Sequence, residues 1–337
     1  MPRRAPTMID IARLAGVSPM TVSRTFKADG SVSDTARAAV LRAADELGYV
    51  FDSTASALRS QRSDFVAVTI PSINNANFAD TVRGLSDGLR ARGLQILLGY
   101  TDYDVAAEEQ LIAQLLRRRP EAMVVTGGTH TDRARSLLEK AAIPVVEIWD
   151  LPARPIGHVV GFSNAAAVGG LVDHLVAQGR QRIAFIGGDT ARDTRGLDRR
   201  RGFVAAMQRH GLDATRLVDA GTPPISMAEG AAAMADLLMR MPDTDAVVCV
   251  SDLSAFGALT ECQRRGIAVP DRVAIAGFGE YEIAPICVPA LTTVNPFPLR
   301  IGLEAAALIL SALDGRLSEP ATVAITPGLL PRASTGV

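Results

Sequence analysis

Three cysteines, Cys249, Cys262 and Cys287, are too few and too widely spaced for a disulfide framework, and no CxxC or Cys/His spacing suits zinc. Their apolar neighbours mark them as buried, reduced thiols. No apolar run is long enough to span a bilayer. The opening MPRRAPTMIDIARLAG has a polar, helix-capped segment where a secretory signal needs an apolar stretch. A soluble cytoplasmic protein without a membrane partner is expected.

Catalytic signatures are missing too. The sequence has no GxxxxGK[ST] loop, no GxSxG elbow, no HExxH, and no GxGxxG between a strand and a helix. GGDTARDTRG carries glycines without phosphate-cradle spacing, and no nucleophile or metal cluster accompanies an acid such as Asp252. A protein that is not an enzyme and needs no cofactor is expected. Net charge is also near nil, at -1, but it is uneven. Residues 1–62 hold nine Lys and Arg against six Asp and Glu, or +3, and the remainder 26 against 30, or -4, so the phosphate-attracting end is N-terminal.

With 337 residues, 48% of them hydrophobic, the chain can bury a sizeable core and should form two or three units. The first 50 residues read as three short helices. Met8, Ile11, Ala12 and Ala15 share one face of the first, and Ala36, Val40, Ala43 and Leu47 one face of the third. From Phe65 the pattern changes to short apolar runs, FVAVTIP, LQILLG, AMVVTG, PVVEI, IAFIGG, AVVCVS and VAIAGF, separated by amphipathic stretches of helical length. Strands apolar on both faces and alternating with helices predict parallel sheets covered on both sides. The runs group before and after about residue 162, which predicts two similar lobes with a ligand cleft between them. FDSTASALRSQRS, residues 51–63, is a polar, weakly helical link that could be disordered alone and fold on a partner.

TMIDIARLAGVSPMTVSR reads as a helix, a tight turn and a second helix. Thr7 and Asp10 have capping-box spacing, Gly16 can take a positive φ, Ser18 caps the second helix, and Pro19 stands at its first position. Val22 would plug the interface between the two helices.

AGVSPMTVSR followed by SVSDTARAAVLRAADELGYV resembles the helix-turn-helix head of the LacI family of transcriptional regulators, over about residues 7 to 60. The resemblance implies a second helix lying in the major groove of operator DNA, with Pro19, Met20 and Arg24 facing base edges. Arg24 would be the strongest reader, because a guanidinium can pair bidentately with guanine. Thr21 and Ser23 would contact phosphates, and Thr7 and Ser18 join the DNA-facing set. Simple helix packing is the alternative for Met20. Leu58 is similar to the family's minor-groove leucine, which pairs with its mate from a second subunit to wedge open a base step, with Ala55 and Ala57 lining the same groove. Apart from the resemblance, Leu58 reads as a minor core contact.

The remainder, about residues 64 to 330, resembles the family's two-lobed, periplasmic-binding-protein-like core through GIAVPDRVAIAGF, PALTTV, and IAFIGG followed by GLDRRRGF. The implied fold is an all-α helix-turn-helix head (1–50), a hinge (51–63) and an α/β core with parallel sheets (64–337). The chain would cross between lobes near 162, 292 and 322. Lobe 1 would then be about 64–162 plus 293–321, and lobe 2 about 163–292 plus 322–337. GGTHT, IPVVE, VGFSN and AFGALTECQRRGIAVP are similar to the gluconate-repressor subgroup, which implies a sugar-acid effector, gluconate or a phosphorylated or keto derivative.

Carried over by position, the cleft residues are Asn77, Phe78, His130, Glu147, Arg199, Asp252 and Gly279. Arg199 suits a carboxylate or vicinal hydroxyls, although it opens an arginine run that could be solvated. Asp252 could bind hydroxyls or cap the helix after it. His130 and Glu147 could equally be solvent-exposed loop residues. Many sugar-binding members have an aspartate where this chain has Gly279. Its loss removes repulsion toward an anion and leaves Glu280 as a possible substitute. The resemblance thus implies a homodimeric repressor on a near-palindromic operator, released by its effector. The alternatives are a solute-binding module or a sugar-modifying enzyme on the same core. The end, RASTGV, has no leucine heptads of the kind that make tetramers.

Overall fold

A computed structural model describes residues 4–26, 31–50, 63–188 and 191–336. The hinge candidates Ala55, Ala57 and Leu58 lie outside the described residues. The chain divides into two compact units, Met1–Arg62 and Ser63–Val337.

In the first unit, α1 (Met8–Ala15), α2 (Pro19–Thr25) and α3 (Asp34–Leu47) enclose a small core of Ile11, Ala12, Val22, Val40, Ala43 and Ala44. Local chemistry sets the helix limits. Thr7 N–H and Oγ1–H donate to Asp10 Oδ2 at 2.9 and 2.6 Å, Gly16 closes α1 at φ 67°, and Ser18 Oγ accepts from Thr21 N–H at 3.1 Å. Leu47, expected on the buried face of α3, is 37% exposed. Ala44 is buried in its stead, and the end of the core is covered by Tyr49, whose ring lies 6.2 Å from that of Phe26.

The second unit contains two parallel sheets. One is built from β1 (Phe65–Ile70), β2 (Gln95–Tyr100), β3 (Ala122–Thr126), β4 (Val145–Ile148), β5 (His158–Gly161) and a late strand, β11 (Thr322–Ala324), in the order β11-β5-β4-β3-β1-β2. Its helices are α4 (Ala76–Leu89), α5 (Val105–Leu116), α6 (Asp132–Glu139) and α12 (Pro298–Leu313). The other contains β6 (Ile183–Gly187), β7 (Leu217–Asp219), β8 (Ala246–Cys249) and β9 (Ala274–Ala276), in the order β7-β6-β8-β9. With it go α7 (Asn164–Ala177), α8 (Thr194–Arg209), α9 (Met227–Arg240), α10 (Asp252–Arg264) and the short α11 (Ile283–Ile286).

Central strands such as β3 and β8 are buried along their whole length, as their unbroken apolar runs require. LQILLG behaves differently because β2 is an edge strand: Tyr100 is 58% exposed. HVVG and LVD, which form β5 and β7, are too short to stand out in the sequence.

Three segments join the lobes. The first follows β5 into α7. The second is β10 (Thr293–Asn295), which pairs antiparallel with the third, β12 (Gly328–Leu330). The third crossing expected near 322 falls later. Thr322–Ala324 pairs in parallel with β5, and Ile325 N–H still donates to Gly161 O at 2.7 Å, so this strand belongs to the first lobe. The thiols are all free; Cys249 and Cys262 are buried, and Cys287 is half-buried rather than buried.

Candidate ligand cleft and DNA-facing helix

On α2, the geometry separates side chains that hold the head together from those that face outward. Val22 and Thr25 point into the core. Ser18, Pro19, Met20 and Arg24 are exposed and Thr21 and Ser23 half-buried. Met20 is 63% exposed, so helix packing is not its role. Ser18 and Thr21 hydroxyls lie 3.0 Å apart, and the Thr7 hydroxyl is engaged by Asp10, so these polar groups are oriented by partners within the head.

Between the lobes lies a cavity of about 240 Å³, room for a small molecule. The first lobe contributes Asn74, Asn75, Asn77, Phe78, Tyr103 and Trp149. The second contributes Asp193, Arg195 and Arg199 from the start of α8, together with Ser226, Val250, Ser251, Phe278 and Tyr281. The floor is aromatic: Phe78 meets Trp149 edge-on at 5.4 Å, Trp149 meets Phe162 at 5.9 Å, and Phe162 stacks with Phe278 at 6.1 Å. Trp149 Nε1–H donates to Thr81 Oγ1 at 3.1 Å, and Asn164 Nδ2–H to the Trp149 main-chain O at 3.1 Å, so the indole is held from the first lobe and its backbone from the second.

Arg199 lies flat on this floor with its guanidinium carbon 3.7 Å from the Phe278 centroid. Its Nε–H donates to Asn164 Oδ1 and its Nη1–H to Val250 O, both at 2.9 Å. Burial lowers its pKa from the usual arginine value, Asp193 opposes that shift and Arg195 adds to it, while the group stays charged. It is a wall of the cleft, not a solvated surface arginine. One helical turn earlier, Arg195 is 5% exposed and rests against the rings of Phe78 and Tyr103. Asp193 caps α8 by accepting from Gly196 N–H at 2.9 Å. Across the opening, Tyr281 Oη–H donates to Asn75 Oδ1 at 2.7 Å and Arg192 Nη2–H to Asp102 O at 2.9 Å.

Of the expected cleft residues, Asn77, Phe78 and Arg199 line this cavity. The others stand elsewhere. His130 is neither in the cleft nor exposed: its side chain is 1% exposed, with Nδ1 2.7 Å from Glu108 Oε2 and Nε2 3.7 Å from Glu147 Oε1. Burial alone would depress its pKa, but the hydrogen bond to Glu108 and the nearby carboxylate of Glu147 outweigh this and lift it to about 9. Glu147 is fully buried on β4 and accepts from Ile156 N–H at 2.6 Å. The pair is internal to the first lobe because β4 turns Glu147 toward the loop after β3 rather than toward the second lobe.

Asp252 neither lines the cleft nor caps α10; Ser251 is the cap. Buried at the first helical position, Asp252 accepts from Tyr281 N–H at 2.8 Å and Thr293 Oγ1–H at 2.6 Å, thereby positioning the cleft tyrosine from behind. Burial lifts its pKa to about 6 against the lowering effect of those two bonds. Glu280 is likewise occupied, paired with Arg332 at 2.5 and 2.9 Å.

Gly279 sits beside the cleft rather than on its wall. Its φ of 131° suits glycine, and a Cβ there would come within 2.8 Å of Asn77 Nδ2 and 2.6 Å of Tyr281 Cε1. Reasoning from the sequence missed Asn74, Asn75, Tyr103, Trp149, Asp193, Arg195 and Tyr281. Only Arg195 had a usable signal, its i, i+4 spacing from Arg199 on one helix.

Comparison with known proteins places both units. Residues 7–52 match the family model "Bacterial regulatory proteins, lacI family", and residues 172–335 match "Periplasmic binding protein-like domain". The HTH-type transcriptional regulator GntR of Pseudomonas aeruginosa is 36% identical over 330 residues, covering 98% of this chain and 96% of that protein. A LacI-family transcriptional regulator from Silicibacter pomeroyi superposes with a TM-score of 0.92 at 33% identity, over 98% of this chain and 99% of that one. The lac repressor dimer bound to operator shares the fold, with a TM-score of 0.84 at 22% identity over 98% and 99% of the two chains. Head and core match together on one chain, so the solute-binding and sugar-modifying alternatives give way to a DNA-binding regulator. Among the described residues, no helix is long and apolar enough to cross a membrane.

Proposed function

The chain belongs to the LacI family of bacterial transcriptional regulators, and from that premise we propose that it is a homodimeric, cytoplasmic repressor, located on the nucleoid through DNA binding and released by a sugar acid, gluconate or a phosphorylated or keto derivative. The observation that carries the effector class is the charge of the cleft. Among the described residues, two arginines and one aspartate are its only ionisable side chains apart from tyrosines, which gives that part of the wall a net positive charge over an aromatic floor edged by asparagine and serine. A carboxylate answers the cationic groups, and a chain of hydroxyls answers the amide and hydroxyl groups.

On the DNA side, Arg24 reads a base edge in the major groove, Met20 and Pro19 meet base surfaces, and Thr21, Ser23, Thr7 and Ser18 settle on the phosphate backbone. One head makes too few contacts for useful specificity, so a two-fold dimer reads a near-palindromic operator, with Leu58 wedged into its centre and Ala55 and Ala57 in the same minor groove. The effector acts by binding the two lobe arrangements unequally, with coupling of about 1 to 3 kcal/mol.

Two experiments on the full chain test this reading. A thermal-shift screen against gluconate, its phosphorylated and keto forms, neutral sugars and purines should show selective stabilisation by an acid; a response confined to neutral sugars or purines overturns the effector class. Selection from random duplexes should return a two-fold symmetric consensus released by the same acid, and an asymmetric consensus would overturn the dimeric operator.

A further inference from the structure

We propose that Arg195, rather than Arg199, is the principal receptor for the acid group of the ligand, and that it carries this charge across the cleft from the second lobe to the first. The inference rests on the sugar-acid reading for the identity of the ligand, but its physical basis is the state of the two guanidinium groups. Arg199 is already employed: two of its donors go to Asn164 and Val250, and its face is stacked on Phe278. All its fixed partners lie in the second lobe. Arg195 is more deeply buried as a residue, yet among the described residues it has no hydrogen bond and no ion pair. Its guanidinium lies over the faces of Phe78 and Tyr103, with centroids at 5.6 and 5.8 Å, and the Asp150 carboxylate acts on it only from beyond ion-pair distance.

A cation removed from water without a paired carboxylate is costly to hold, and an unbonded guanidinium in the lining of a cleft is a receptor for an anion. Asp193, the nearby acid of the lining, is turned to cap α8 through Gly196 N–H and stands outside ion-pair range of Arg195. The position is also shaped for the guanidinium. Gly127, at φ 96° after β3, leaves room for Nη1, which would lie 3.1 Å from a Cβ at that residue. Arg195 belongs to α8 of the second lobe, whereas Phe78, Tyr103 and Gly127 belong to the first. An anion paired with Arg195 therefore alters the group that touches both lobes, while the polyol end faces Arg199, Asn75 and Ser251. Carboxylate and phosphate both fit this chemistry.

The test compares wild type with Arg195→Met, Arg195→Lys and Arg199→Ala, using the full chain. Trp149, the single tryptophan, lies in the cleft wall and reports binding by fluorescence, with calorimetry as a second readout. The probes are D-gluconate, 6-phospho-D-gluconate, inorganic phosphate and neutral D-glucitol. Arg195→Met should weaken anion binding at least about 10-fold, the difference one charge-assisted hydrogen bond makes, with Arg195→Lys recovering part of it. Any response to D-glucitol should be unchanged.

A merely structural arginine would behave otherwise in melting: removing an unpaired buried cation should leave Tm equal or higher, and a fall of several degrees in both variants overturns the proposal. Equal gluconate affinity in Arg195→Met and wild type overturns it while sparing the sugar-acid reading. Binding of inorganic phosphate but not the sugar acids, lost in Arg195→Met, upholds it and overturns that reading. A wild type that binds no anion overturns both.

Discussion

The guanidinium carbon of Arg199 lies 3.7 Å from the centre of the Phe278 ring, while two of its N–H donors are held by Asn164 Oδ1 and Val250 O. Planarity is needed for all three contacts at once, and an ammonium group supplies only a point charge. Arg199→Lys should therefore behave almost as Arg199→Ala. In both, Val250 O and Asn164 Oδ1 lose a buried donor, which costs about 1 to 3 kcal/mol of stability. Effector affinity should fall less than in Arg195→Met, by roughly 3- to 10-fold, with operator affinity retained. Calorimetry and operator titrations check this; a lysine variant that is induced normally refutes the stacked-fork role.

A second relationship spans the cleft. Tyr281 donates to Asn75 across 206 residues of sequence, and Asp252 holds the tyrosine backbone from behind. Tyr281→Phe removes one inter-lobe hydrogen bond, worth about 1 kcal/mol. If the two lobe arrangements differ in this bond, operator affinity without effector and effector affinity without DNA should shift in opposite senses, each by up to roughly 5-fold. Changes in effector affinity alone would assign Tyr281 to ligand contact and nothing more.

The sequence was most legible where a feature is local. Helix caps at Thr7, Ser18 and Gly16, and strands with unbroken apolar runs, are decided by neighbours a few residues away, and they stand where their pattern puts them. The cleft was legible only in part, because it is made by the approach of residues far apart. Trp149 follows β4, Tyr103 follows β2 and Tyr281 follows β9, and nothing in spacing announces that their rings converge. Polar residues at strand ends misled for the same reason. Glu147 and His130 look like cleft residues along the chain, yet their side chains find each other and Glu108 inside one lobe. The late strand β11 was assigned to the wrong lobe because TVA is too short to carry a signal of its own.

Gly279 also changes meaning. Its lack of a carboxylate suits an anionic ligand, but its φ of 131° and the nearness of Asn77 and Tyr281 demand glycine on steric grounds. Gly279→Ala should cost about 1 to 3 kcal/mol through backbone strain alone and disturb Tyr281. Denaturant unfolding measures the cost; a neutral substitution would show that the backbone there relaxes freely.

On the head, Arg24 and Met20 are exposed on the same helix and should differ in kind. Arg24→Ala should relax preference at a single base pair by about 1 to 3 kcal/mol. Thr21→Ala should weaken binding to all sequences alike and leave its salt dependence unchanged, because a neutral hydroxyl releases no counterion. Leu58→Ala should weaken operator binding with effector affinity unchanged; equal operator affinity would remove the wedge role. Binding across a panel of single-base operator variants at two salt concentrations separates these outcomes, and uniform loss in Arg24→Ala would make it a phosphate contact.

The buried triad of Glu108, His130 and Glu147 predicts how stability depends on pH. His130 has a folded pKa of about 9, above the ordinary histidine value of 6.5, because the two carboxylates favour the imidazolium more than burial disfavours it. A raised pKa stabilises the fold fully below about pH 6.5, and that contribution is lost as pH rises through about 9. Its size is on the order of 3 kcal/mol, or roughly 5 to 10 °C in Tm for a domain of this size.

Asp252 titrates below this window, near pH 6, and the buried thiols of Cys249 and Cys262, raised by burial, begin to weaken the fold only above the ordinary thiol value of about 8.5, so His130 dominates between about pH 6.5 and 8.5. Wild type should lose Tm steadily across that range. His130→Gln should start lower, because Glu108 and Glu147 lose their cation, and then stay flat. A wild-type Tm that does not fall, or an equal fall in His130→Gln, would show that the imidazole is not held charged in the folded protein.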